Sequence, residues 1–140
     1  MEFHMPVKFM AADQRVTENR GKAAVIRGPV VYCLEDQDIP AGKNIELLYL
    51  TGDAKLTPVA TDSLGGITKL TGSFLYNTNY VEPFSTANYI IQDKGLYQKM
   101  TLDDSIFIED GAQTVLVSMI PFCVRLNRAS EYFNVWIPVY

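Results

Sequence analysis

Apolar residues alternate with polar ones over short runs along most of this chain, and the period is that of strands. In "PVKFM", Val7 and Phe9 flank Lys8. "AAVIRGPVVYCLE", residues 23–35, is rich in Val, Ile and Tyr, and Pro29 forbids a helix through its middle. Further short strands are predicted at "IELLYL" (45–50), "NYIIQ" (88–92), "YQKMTL" (97–102), "SIFI" (105–108) and "TVLVSMIPF" (114–122). In "FNVWIPV" (133–139), Phe133, Val135 and Ile137 alternate with Asn134 and Trp136. Turn residues separate these runs: "PAGKN" (40–44), "TGD" (51–53), "LGG" (64–66), "EDG" (109–111) and "NRAS" (127–130). No long amphipathic helix is evident, and "SLGGITKL" (63–70) reads as a turn with no assignable element after it. The expected fold is all-β: an antiparallel sandwich or jelly roll of about eight to ten strands in one domain.

One stretch stands outside this pattern. "YNTNYVEPFSTANY" (76–89) mixes Tyr, Phe, Asn, Ser and Thr with a single Glu. Such a loop packs on a neighbouring domain or presents rings beside small polar groups, as recognition surfaces do. Tyr76, Tyr80, Phe84 and Tyr89 are its candidate carbohydrate or interface contacts.

Composition narrows the picture. At 140 residues, 48% hydrophobic and 20% charged, the chain has enough apolar surface for a packed core without a metal or disulfide staple. Twelve basic and sixteen acidic residues give a net charge of −4. The basic residues Lys8, Arg15, Arg20, Lys22 and Arg27 are interleaved with Asp13 and Glu18, so no basic stripe for nucleic acid is expected. No apolar run approaches the roughly 20 residues of a membrane helix. "MEFHMPVKFM" lacks a leader's basic start and apolar centre, so a cytoplasmic location is expected.

Candidate chemistry is sparse. Gly21-Lys22 lacks the upstream glycine and the following hydroxyl of a phosphate loop, and reads as a turn from Asn19 into a strand. Pro29 fits a sheet edge or a bulge. Two cysteines and one histidine, His4, do not make a zinc site. Cys33 and Cys123 both read as buried structural thiols, with no base or helix end to activate either. A bond between them would need an oxidising compartment. Glu35, Asp36, Asp38, Asp103, Asp104, Glu109 and Asp110 are too many to single out a catalytic pair, and acids at turns are normally solvated. "DQDIPAG" fails as a calcium loop because Pro40 and Ala41 replace a ligand and the turn glycine. Arg125 and Arg128 are candidates to meet carboxylates at an interface. No catalytic, cofactor-binding or metal-binding set is expected in this chain.

The ends of the chain resemble a known family. "MPVKFMAADQRVTENRGKAAVIRGPVVYCLED" (5–36) is similar to the start of the C-terminal β domain of glycoside hydrolase family 127. The similarity rests on Met5-Pro6-Val7, Glu18-Asn19, Gly21-Lys22, Arg27-Gly28-Pro29 and Val31 to Glu35. At the far end, Ile120-Pro121, Asn127-Arg128 and Val135-Trp136-Ile137 match a closing strand pair. Arg125 replaces a usual aromatic there and Ala129 a usual glycine; "LGGI" (64–67) is a weaker third match, and residues 37–112 are not distinctive. The resemblance implies an ancillary domain of a larger bacterial glycosidase acting on β-L-arabinofuranosides or related sugars. In that family a helical α/α barrel carries catalysis through a zinc-held cysteine with further Cys and Glu ligands. Those ligand motifs have no counterpart here, and Cys33 belongs to the β-domain motif. The implied partners are the catalytic barrel and a second copy in a dimer. A carbohydrate-binding module is the alternative expectation.

Overall fold

The computed structural model describes residues 4–52, 54–79, 89–91, 97–102, 111–125 and 127–140, with side chains undescribed at 89–91 and 100–102. Among these residues the fold is all-β. Eleven strands join one hydrogen-bonded network, and every strand pairing is antiparallel. They are β1 (Val7–Ala12), β2 (Lys22–Arg27), β3 (Val30–Glu35), β4 (Leu48–Tyr49), β5 (Thr57–Thr61) and β6 (Ile67–Asn77). The remainder are β7 (Tyr89–Ile91), β8 (Tyr97–Leu102), β9 (Ala112–Pro121), β10 (Phe133–Asn134) and β11 (Trp136–Pro138). The predicted "SIFI" strand lies outside the described residues.

The main path runs β4-β6-β9-β3-β2-β1-β8-β7, with β5 on β6, β10 on β3 and β11 on β2. Ala11 of β1 and Leu48 of β4 are far apart on that path, yet both belong to one buried cluster. The sheet therefore curls over on itself around a shared core. Strands change partner part-way along, which lets a sheet bend in this way. β2 pairs with β3 through Val25–Arg27 and with β11 through Lys22–Ala24. β3 meets β9 at Tyr32 and Cys33, then β10 at Leu34 and Glu35.

The break expected at Gly28-Pro29 is a tight hairpin between β2 and β3. Arg27 pairs with Val30 across a two-residue turn. Gly28 takes φ +58, a conformation a two-residue hairpin needs and a side chain resists. Pro29 thus occupies a hairpin turn rather than the edge or bulge expected of it. Gly21, also at positive φ, ends the predicted turn, and its carbonyl accepts from the amide of Val139 at 2.9 Å.

The longest strand, β6, falls where the sequence shows no element, and Tyr76 and Asn77 belong to it rather than to a loop. Leu70, Phe74 and Tyr76 face the core, opposite Met119, Val115 and Gln113 of β9. Gly72 lies between them because the chain crosses close by: a Cβ there would meet the Lys55 carbonyl oxygen at 2.5 Å. β5 is exposed along its length and tolerates Pro58 as an outer strand does. Only the second half of the predicted 45–50 strand forms. Asn44 Oδ1 accepts from the Glu46 amide and holds residues 45–47 in a 3-10 turn. "FNVWIPV" splits at Val135, where the chain leaves β3 for β2.

Candidate functional site

The two sequence motifs at the ends of the chain come together in space. β10 and β11, from the second motif, pair with β3 and β2, from the first. At this junction β3 delivers a run of buried residues, Tyr32, Cys33, Leu34 and Glu35, followed by a 3-10 turn over Asp36–Asp38. Glu35 and Asp38 cap the turn reciprocally, each side chain accepting from the other's backbone amide.

Arg128 closes the arrangement from about ninety residues away. Its Nε donates to Glu35 Oε2 at 2.8 Å, and Nη1 donates to Asp38 Oδ1 at 2.9 Å. Nη2 bridges the two acids, reaching Asp38 Oδ2 at 2.7 Å and also Glu35 Oε2. The side chains are nearly enclosed: Glu35 is 1% exposed, Asp38 3% and Arg128 18%. The hydrogen bonds that the guanidinium donates to Asp38, ahead of those to Glu35, raise its pKa further, so it stays charged. Around this ion cluster, Ser130 Oγ donates to Asp36, Gln37 donates to the Ala129 carbonyl, and the Asp36 amide donates to the Tyr132 carbonyl at 3.1 Å. The arrangement locks two loops together. The expectation that the acids of this turn are solvated is corrected here: Glu35 ends a strand buried along its last four residues, and such a carboxylate persists only when paired. The clue in the sequence was a glutamate continuing an apolar run.

Cys33 is fully buried, and burial pushes its thiol up to about 12, with Glu35 and Asp38 adding to the effect. It is a core thiol, as its sequence setting predicts. Cys123 is not: it is exposed, in a 3-10 turn just beyond β9, because Pro121 ends the strand before the apolar run does. Both thiols are free. Among the described residues no three His, Cys, Asp or Glu side chains are grouped to hold a metal ion, so these residues do not fit a zinc site.

The remaining candidates separate. Tyr76 is buried in the core; its hydroxyl accepts from the Asn44 amide at 3.4 Å, and Lys43 Nζ lies 4.3 Å from its ring centroid. Its ring is used by packing. Tyr80 and Phe84 lie outside the described residues, and Tyr89 begins β7 with its side chain undescribed. Arg125 lies over the Phe133 ring at 3.4 Å and 5.8 Å from the Phe122 centroid. Phe122 and Phe133 are both exposed, so these three form a cation–aromatic patch at the surface, and Arg125 Nε is buried without a partner. A separate cleft beside the hairpin turn is lined by residues 4–7, Arg27, Leu56 and Pro58.

These features define a class: an all-β domain whose most distinctive residues hold its own strands and loops together. The family model of the glycoside hydrolase family 127 C-terminal domain matches residues 7–138, and the chain belongs to that family. It is 41% identical over 69 residues to the non-reducing end β-L-arabinofuranosidase of Bifidobacterium longum subsp. longum, a stretch covering 48% of this chain and 10% of that protein. The crystal structure of a family 127 β-L-arabinofuranosidase from Geobacillus stearothermophilus T6 matches with a TM-score of 0.71 and 30% identity, over 99% of this chain and 19% of that one. A second family 127 β-arabinofuranosidase shares the fold at a TM-score of 0.69 and 23% identity, over 99% of this chain and 18% of its own. The chain thus spans about a fifth of these solved structures and a tenth of the curated relative.

Proposed function

We propose that this chain is one non-catalytic domain of a larger family 127 glycoside hydrolase that acts on β-L-arabinofuranosides, and that it supports the catalytic barrel and dimer assembly. The observation that carries this reading is the use of the matched motifs. Cys33 is sealed in the core, and the neighbouring Glu35 and Asp38 are engaged by Arg128, so the signature residues present no accessible nucleophile and acid. A larger parent is supported by the share of the related solved chains that this chain covers. The assembly role is supported by the exposed Phe122–Arg125–Phe133 patch, which combines apolar area with a cation suited to a partner's carboxylate. The parent's zinc chemistry belongs, on this reading, to the barrel.

The chain assayed with zinc on a β-L-arabinofuranoside is expected to give no turnover; turnover that disappears in Cys33→Ser would sink the proposal. Analytical ultracentrifugation of the parent with and without this domain is expected to give a dimer only in its presence.

A further inference from the structure

A cleft of about 530 Å³ opens beside the ion cluster, lined by Asp36, Lys43, Asn44, Ile45, Glu46 and Tyr132. Its size suits a small ligand. Three segments build it, the last distant in sequence from the other two: the turn after β3, residues 43–46 before β4 and the loop before β10. Buried Ile45 contributes apolar wall. Tyr132 is 64% exposed, so most of its ring is open to a ligand or to water. The polar groups are two carboxylates, an amide and an ammonium, which together both donate and accept hydrogen bonds.

These walls are held in place before any ligand arrives. Ser130 Oγ donates to Asp36 and lies 3.1 Å from the Tyr132 carbonyl oxygen. The Asp36 amide reaches the same carbonyl. The hydrogen bond from Ser130 is the first cause holding the Asp36 carboxyl below its usual range, so it is an ionised acceptor near neutral pH. Asn44 is fixed by its bonds to Glu46 and Tyr76, and Lys43 by the Tyr76 ring. Behind them, Arg128 ties the 36–38 turn to the 127–132 loop. Preorganised loops lower the entropy lost on binding.

The charge balance selects the ligand. Asp36 and Glu46 outnumber Lys43, which disfavours a phosphate or a uronate. A metal ion would find no third His, Cys, Asp or Glu ligand among the described residues. A neutral ligand with many hydroxyls matches both the mixed donors and acceptors and the flat open ring. We propose that this cleft is a saccharide-binding subsite for a neutral oligosaccharide, with Tyr132 as the stacking platform and Asp36 and Glu46 as hydroxyl acceptors.

The test is an amide-resolved NMR titration of the chain with a neutral arabinofuranosyl oligosaccharide at millimolar concentration, beside an oligogalacturonide of equal length. Saturable shifts are expected at Asp36, Lys43–Glu46 and Tyr132, with the anionic sugar binding more weakly. Tyr132→Ala is expected to weaken binding about tenfold, or about 1.4 kcal/mol, and Tyr132→Trp to keep it. The exposed ring makes both variants compatible with folding, which an unchanged spectrum elsewhere checks. No saturable shift, shifts confined to another surface, unaltered binding by Tyr132→Ala, or equal binding of the oligogalacturonide would each overturn the proposal. Turnover is a separate readout, so failure here leaves the ancillary-domain reading standing.

Discussion

Arg15 and Arg128 make the same kind of bond in opposite surroundings. Arg15 Nε reaches Asp13 Oδ1 at 2.9 Å, but the arginine is 84% exposed and its partner is two residues away. Arg128 reaches across ninety or more residues of sequence to Glu35 and Asp38, and all three side chains are largely enclosed. The first pair closes a short turn that water and salt can replace. In the second, loss of the cation strands two carboxylates that water cannot readily reach. Bond length does not separate the two; the cost of removing one partner does.

Arg128→Ala is the largest way to break that contrast. It is expected to lose about 3–5 kcal/mol of folding stability, the range for an uncompensated buried ion, read as a lower urea midpoint. Replacing Arg128, Glu35 and Asp38 together by Met, Leu and Leu is expected to cost less than the single change. If the triple variant is the worse of the two, the cluster is more than compensated charge.

Next come the thiols. At pH 8 a thiol reagent is expected to label Cys123 in the folded chain and Cys33 only after urea unfolding. Above the free-thiol value of 9, the unfolded state loses the Cys33 proton while the folded state keeps it to about 12. That thiol therefore lowers stability as pH rises through this window, and Cys33→Ala is expected to flatten the fall in urea midpoint there. A fall of equal slope in the variant would refute the assignment.

Smallest is Asp13→Ala. The Arg15 hydrogen bonds hold the Asp13 carboxyl below its usual value of 3.8. Any stabilisation is present above the ordinary carboxylate range and lost as pH falls through the lowered value. Because the pair is exposed, no change in urea midpoint is expected at neutral pH and moderate salt. A loss approaching that of Arg128→Ala would erase the contrast.

The same division between local and long-range forces decides what was legible in the sequence. The strands on either side of Gly28-Pro29, the 97–102 strand and the Cys33 core thiol are local, and each can be read from composition and period. The β5–β6 hairpin cannot. Gly72 answers to the Lys55 carbonyl in the chain that leads into β5, and in isolation it reads as a strand breaker. The ion cluster was half legible. Arg128 can be expected to meet carboxylates, but its partners lie ninety or more residues away, among acids that outwardly resemble turn residues. Cys123 misleads because an apolar run continues past the proline that ends the strand.

The pairing of β10 and β11 with β3 and β2 also sets a timetable for synthesis. Residues 22–35 emerge from the ribosome about 100 residues before 133–138, which at roughly 5–20 residues per second is a wait of about 5–20 s. During that interval the nascent chain carries strand edges whose final neighbours have not yet been made. Such edges invite pairing with other chains. Completion of this sheet is therefore a late event relative to the synthesis of β2 and β3, and a holding chaperone has its longest opportunity at those two strands.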